Sequence, residues 1–344
     1  MTGPSQAALS ETEIPDPEGA GPGAQPRAKD AELVGRSPGR LMWTRFKRDR
    51  TGVVSACVVL FFFLVALGAP LLSALYGKDP YTRYGQVQPG LLNENGYPIK
   101  PNGGIDGDFW FGLEPGLGRD VFMQLVYGMR TSLGLAVAIT VLSVLTAIVI
   151  GVVGGYLGGR TDYFLGRLTD LMMSFPNQLF FIAFTPVITA LFVSDRDELP
   201  TWLRACVLIF VMWVLGWMTL ARLLRGQVLS LREREFIEAA KVAGTPPGRI
   251  VRKELLPNLV TPILVQSTYM LPNAVTAIAG LSFLGVGMPE PTPDWGRMFA
   301  TGADVYQSDL TYMFFPGGAM VLFIVAFNLL GDSVRDAFDP KAGR

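Results

Sequence analysis

The sequence predicts an all-α, polytopic membrane protein that crosses a bilayer six times and keeps both termini in the cytoplasm. Three observations carry that fold class. Six uncharged windows punctuate the 344 residues, lysine and arginine crowd into alternate connections between them, and the complete absence of histidine removes most catalytic chemistry.

Arg50 and Lys78 enclose 27 residues without a formal charge, Arg130 and Arg160 enclose 29, and Asp170 and Asp195 enclose 24. Arg204 to Arg222 encloses 17, Glu254 to Glu290 encloses 35, and Asp309 to Asp332 encloses 22. A hydrocarbon core needs about 20 apolar residues per helix. The 17-residue window reaches that length when Arg204 and Arg222 snorkel to opposite interfaces. Buried helices of soluble proteins run shorter, so six such windows in one chain argue for membrane spans. The predicted spans are 53–75, 131–157, 163–192, 203–223, 260–284 and 312–331.

Orientation follows from the basic residues. With the N-terminus inside, segments 1–50, 158–167, 222–258 and 332–344 hold 21 of the 29 lysines and arginines. That excess is the cytoplasmic signature.

In chain order, residues 1–40 hold six prolines and six glycines with few aliphatic clusters. They cannot bury enough apolar surface to offset ordering entropy, which predicts a disordered cytoplasmic tail. Residues 41–78 form an N-terminal anchor behind a collar of Trp43, Arg45, Lys47, Arg48 and Arg50. The apolar run is too long and too far from the start for a signal peptide, so an uncleaved anchor is expected. Residues 79–130 read as an extracytoplasmic loop, with turn pairs at Asn95-Gly96 and Asn102-Gly103. Its end, Asp120 to Arg130, has helical apolar spacing that suits either a short helix on the outer membrane face or ordinary loop packing. Residues 131–332 form the membrane core and 333–344 a cytoplasmic C-terminus.

Composition excludes several functions. Twenty-nine basic residues balance 29 acidic ones, which argues against an electrostatic nucleic-acid binder. Without histidine there is no Ser-His-Asp or Cys-His catalysis and no histidine-ligated metal. Cys57 and Cys206 sit within apolar runs and read as buried thiols. No catalytic residue, metal site or cofactor is expected. A phosphate-binding loop is also missing, because the single Gly-Lys pair, Gly77-Lys78, lacks the upstream glycine and the following hydroxyl residue.

The cytoplasmic loop between the fourth and fifth spans, 230–258, is the segment with most to say about function. Residues 230–243 favour a helix on which Phe236, Ala239, Ala240 and Ala243 share a face, small enough for close approach by another surface. Gly244 can end that helix in a left-handed conformation. Thr245 then suits an N-cap with Pro246 at the first position of a second short helix, which Pro257 would terminate at the membrane.

Glu238-Ala239-Ala240, Gly244 and Leu256-Pro257 fall at the spacing of the "EAA loop", and here the chain resembles the ABC importer permeases. Glu254 stands where the family usually has isoleucine or histidine. The likeness extends through Leu117-Gly118-Arg119-Asp120-Val121, Gly155-Tyr156-Leu157-Gly158-Gly159, Phe175-Pro176, Pro293-Asp294-Trp295-Gly296 and Asn328-Leu329-Leu330-Gly331-Asp332. It is closest to the dipeptide/oligopeptide/nickel branch, C-type subunit, whose single anchor precedes a five-helix core.

The resemblance implies a transmembrane permease forming half of a translocation path. Its partners would be a homologous second permease, two cytoplasmic ATP-binding subunits and an extracytoplasmic substrate-binding lipoprotein, in a bacterial plasma membrane. ATP hydrolysis would belong to the separate subunits. Phe236, Glu238, Ala239, Ala240, Gly244, Leu256 and Pro257 would couple to them, although Glu238 alone could also be a solvated helix charge. Nickel chelates or another small solute are alternative cargoes of the same machine. A stand-alone channel or secondary transporter would need paired intramembrane carboxylates, and Asp170 is the one acid well inside a span.

Polar residues within the spans are candidates for the path. Asn177, Gln178, Gln266 and Asn273 either line it or bridge helices. Asp170 is expected to pair structurally with Arg167 at i−3. Trp295, in an exterior segment, is a candidate contact for the binding protein.

Overall fold

The computed structural model describes residues 38–192 and 200–338. The expected disordered tail lies outside these residues, except that 38–40 open a helix, and the C-terminal segment is described only as far as Phe338. The chain divides into two units at Trp43/Thr44, and of the first only the opening residues of α1 are described.

Helix α1, Pro38–Arg48, carries Arg45, Lys47 and Arg48 in its last turn, where cations complement the helix dipole. Helix α2, Arg50–Leu67, starts where the Asp49 side chain accepts from the Thr51 N–H at 3.0 Å. It buries Ser55, Val59, Phe62 and Ala66 at helical spacing and leaves Leu60, Phe61, Leu64 and Leu67 exposed. The sequence predicts one span over 53–75. The structure breaks it at Gly68 and resumes as α3, Ala69–Tyr76, because Pro70 can neither donate its missing N–H nor clear the preceding turn.

Helix α4, Val121–Leu157, runs 37 residues, about 55 Å at 1.5 Å per residue. A separate surface helix over 120–130 is therefore not formed. Asp120 caps α4 by accepting from the Met123 N–H at 2.7 Å, and nothing between Val121 and Leu133 interrupts the ladder. Helices α5, Gly159–Met173, and α6, Asn177–Phe192, meet at 87°. Pro176 causes the bend, since it lacks a donor and drives Phe175 out of helical geometry. Next come α7, Thr201–Gly216, and α8, Met218–Leu231, which together form one apolar run. The short α9, Glu235–Val242, precedes α10, Leu256–Phe283. Helix α11, Trp295–Val305, and α12, Leu310–Phe338, complete the described chain.

Among the described residues four helical runs are long and apolar enough to cross a membrane: 50–67, 121–157, 201–231 and 310–338. The bent pair α5–α6 would make a fifth. Their outer surfaces carry Leu145, Val149, Leu179, Phe314 and Val321 exposed, as lipid contact requires.

Helix α4 is the hub, packing against α2, α5, α7, α8 and α10, while α12 lies on α2, α10 and α11. The α4–α8 seam is the closest. A Cβ at Gly151 would sit 2.6 Å from the Ala221 carbonyl oxygen, and one at Gly155 would sit 2.8 Å from Val228 Cβ. Two glycines four residues apart let the backbones approach where apolar burial offers no driving force.

Residues 79–120 fold into a hydrogen-bonded cap. Asp79 accepts from the Tyr81 and Thr82 N–H groups, both at 2.8 Å, and from the Thr82 hydroxyl at 2.6 Å. Burial pushes its carboxyl up, but these bonds outweigh burial and hold it below the usual carboxylate range. Arg119, 2% exposed, pairs with Glu114 and reaches Glu290 at 2.8 Å, tying the cap to the segment before α11. Burial opposes the Arg119 charge, yet bonds to both carboxylates raise its pKa above the ordinary value. Arg297 meets the same Glu290 at 3.2 Å.

Three expectations change here. Cys57 and Cys206 are free and exposed rather than buried, since each lies on the outward stripe of its helix. Trp295 is fully buried and cannot meet a partner. It donates to the Leu125 carbonyl at 3.1 Å and packs edge-on to Phe62 and Phe323, because Asp294 caps α11 and turns the ring inward. Asp170 pairs with Arg222 at 2.5 Å, not with Arg167, whose guanidinium lies over the Tyr163 ring.

Candidate functional site

The loop between α8 and α10 shows how few residues are needed to hold a helix away from a core. Arg232–Arg234 turn out of α8, and α9 begins with Glu235 and Glu238 in its first turn and ends with Lys241, each favourable to the dipole. Gly244 adopts φ +74°. Its N–H donates to the Lys241 carbonyl and the Thr245 N–H to the Ala240 carbonyl, both at 3.0 Å. This is a Schellman ending, which needs glycine for its left-handed residue.

Thr245 is therefore part of the stop and not the N-cap expected from the sequence. Pro246 takes the cap position and Pro247 the first helical one, because the residue before a proline is forced into extended geometry. Nor does Pro257 end the second helix. Helical structure runs unbroken from Pro247 through a π-helical stretch, Val251–Leu255, into α10. The Leu256 N–H bonds to the Val251 carbonyl, five residues back. That wider turn accommodates the Pro257 ring and its missing donor. The loop thus continues into α10 without a helical break.

Ile237 is the one fully buried residue of α9. It lies in the same cluster as Ile250, Leu255 and Leu259, with Ala240 partly buried beside it. The opposite face is open: Phe236 is 42% exposed, Ala239 and Ala243 are exposed, and Val242 is 89% exposed. Glu238 is also exposed, Leu256 is partly buried, and Pro257 is exposed. Of the residues expected to couple, Phe236, Glu238, Ala239 and Ala240 lie on α9 and Gly244 ends it, whereas Leu256 and Pro257 begin α10; the exposed face also includes Val242. Its spacing of three from Ala239 marked it as a neighbour, but only the fold shows that the face is uncovered.

Three arginines fasten the adjoining α8. Arg222 pairs with Asp170, Arg225 grips Asp162 through two nitrogens, and Arg232 donates to the Gly155 carbonyl at 3.1 Å. These contacts join α8 to α4 and α5.

Among the membrane-core residues, Asn177, Gln266 and Asn273 come together from α6 and α10 on a cavity of about 250 Å³. Gln178 is exposed and lies outside it. Gln266 also borders a larger cavity of about 530 Å³, shared with Asn258, Tyr269 and Arg335. Among the described residues no cluster of three or more cysteines or carboxylates is placed to hold a metal ion.

Comparison with known proteins adds a separate line. Residues 147–344 match the family described as "binding-protein-dependent transport system inner membrane component", and residues 37–94 match "N-terminal TM domain of oligopeptide transport permease C". The chain is similar to the oligopeptide transport system permease protein OppC of Bacillus subtilis, with 33% identity over 322 residues, 92% of this chain and 95% of that protein. It is 35% identical to the Bacillus subtilis dipeptide transport system permease protein DppC over 303 residues, 88% of this chain and 85% of that one. A putative peptide permease protein of Brucella ovis shares 38% identity over 301 residues, 87% of this chain and 89% of its own length.

Proposed function

The chain belongs to the family of binding-protein-dependent inner-membrane transport components, and on that premise we propose that it is a permease subunit of an ATP-driven importer of di- and oligopeptides. It acts with a second, homologous permease, two cytoplasmic ATP-binding subunits and an extracytoplasmic binding lipoprotein. Its seat is the plasma membrane of a bacterium. It hydrolyses nothing itself.

The observation that carries this reading is α9. A soluble-facing helix that exposes Phe236, Ala239 and Val242 without need is a surface kept for a partner. With α10 counted as a span, the chain crosses six times, α9 lies inside, and the cap over 79–120 lies outside where a binding protein delivers cargo. In domain terms, an anchor precedes a permease core, and 230–258 is its coupling loop. ATP binding closes the partner subunits around α9 and moves it. The rigid joint through the π-turn tilts α10, and the arginine straps carry the motion through α8 to α4 and α5. Access to the cavity at Asn177, Gln266 and Asn273 thereby alternates between the two sides.

Ion-coupled transport is disfavoured, because the one acid well inside a predicted span, Asp170, is engaged by Arg222. The test is reconstitution of the five subunits in proteoliposomes. Labelled peptide should accumulate only with both ATP and the binding protein present. Equal accumulation by this chain alone, without ATP, would overturn the reading.

A further inference from the structure

We infer that the cavity between α4, α6, α7 and α10 is a side-chain pocket that admits uncharged residues of a peptide in transit, with Thr140 and Ser143 as its recognition hydroxyls. The inference rests on the peptide-import reading and extends it to a site inside this one subunit.

Serine and threonine within membrane helices ordinarily satisfy their hydroxyls by donating to their own backbone, since no water competes. This chain follows that habit: Thr146, Thr169, Thr185, Ser267 and Thr276 each donate to the carbonyl four residues earlier. Thr140 and Ser143 break it. They stand one turn apart midway along α4, are 7% and 1% exposed, and have no hydrogen-bond partner among the described residues. Both line the cavity. Gly216 leaves room for the second, since a Cβ there would come within 2.5 Å of Ser143 Oγ.

The rest of the wall defines what fits. Thr219, Asn177, Gln266 and Asn273 add neutral polar groups, while Phe181 and Leu215 are among its apolar members, and no lining residue carries a charge. A carboxylate or ammonium would lose its hydration there without a counter-ion. A neutral side chain loses little, and one with an amide gains the two hydroxyls once a χ1 rotation turns them from the helix packing toward the cavity. At about 250 Å³ the space has room for a side chain. The cavity borders the passage and reads one residue from the side.

The complete importer in proteoliposomes, given equal external Ala-Gln-Ala, Ala-Leu-Ala and Gly-Gly-Gly, tests this. The double variant Thr140→Val/Ser143→Ala keeps shape and removes both hydroxyls. Its uptake ratio of glutamine to leucine peptide should fall about five-fold, the value of one or two neutral hydrogen bonds, with the thermal midpoint unchanged or raised. Ala277→Phe, which fills the cavity from α10, should slow both of these peptides relative to Gly-Gly-Gly. Comparing ratios between variants removes the binding protein's own preference. Unchanged ratios in both variants would overturn the pocket and leave the importer standing. A wild-type assembly that moves none of the three peptides would instead overturn the import reading on which the pocket rests.

Discussion

At Gly244 the backbone turns left-handed with nothing within 4 Å of the place a Cβ would occupy. The demand is for φ alone, not for space. A β-branched residue there meets the left-handed penalty of about 1–2 kcal/mol, whereas asparagine tolerates the region far better. Gly244→Val should therefore insert normally yet cut ATP-driven uptake severely, and Gly244→Asn should retain most of it. Equal uptake by the two would show that the Schellman turn does not set the position of α9. Ile237 tests the same helix from its other side. Removing its buried side chain, Ile237→Ala, should cost about 2–4 kcal/mol and free α9 from the core, read as protease sensitivity confined to the 232–247 segment. The sequence showed that Phe236, Ala239, Ala240 and Ala243 share a face. It could not show which face is covered, because the burial of Ile237 arises from tertiary packing.

Among the elements, the α4–α8 seam and the joint at Pro257 are where the proposed mechanism places the load. Gly151→Ala places a methyl 2.6 Å from the Ala221 backbone oxygen, which cannot rotate aside. Overpacking of that kind costs about 1–3 kcal/mol, so the thermal midpoint in detergent should drop. Gly226→Ala, in open space on α8, is the control and should gain about 0.5–1 kcal/mol from helix propensity. If both variants behave alike, close approach is not what Gly151 provides. Pro257→Ala restores a donor and lets the π-turn tighten towards α-helix, rotating the loop against α10. Uptake should fall while membrane insertion is kept, and an active Pro257→Ala chain would refute the rigid joint. Proline flagged this spot in the sequence, but as a terminus. A π-turn that absorbs a proline and continues leaves no compositional mark. The arginine straps were hidden for a related reason, because Arg222 and Asp170 lie 52 positions apart and only the fold pairs them.

For the whole molecule, charge spacing located four apolar runs long enough to cross among the described residues, or five with the bent pair α5–α6. The span expected over 260–284 is a helix outside that group. Where the spans bend was less legible. Gly68–Pro70 splits the anchor and Pro176 turns α5 against α6, while the 120–130 stretch merges into α4 instead of lying flat. Polar residues in the core were visible as candidates. Their convergence was not, and Gln178 falls outside the group that Asn177, Gln266 and Asn273 form. Thr140 and Ser143 looked like ordinary helix residues until their missing backbone bonds set them apart. These parts share one premise, that force enters at α9 from an ATP-driven neighbour.

Val242 gives the cleanest access to that premise, because at 89% exposure a charge placed there disturbs no packing within this chain. The measurement is co-purification of the ATP-binding subunits with Val242→Asp, together with ATP-driven peptide uptake by the same preparation. Normal membrane levels and an unchanged thermal midpoint are expected, with the ATP-binding subunits lost and uptake at background. A Val242→Asp chain that keeps those subunits and transports at the wild-type rate would contradict that premise.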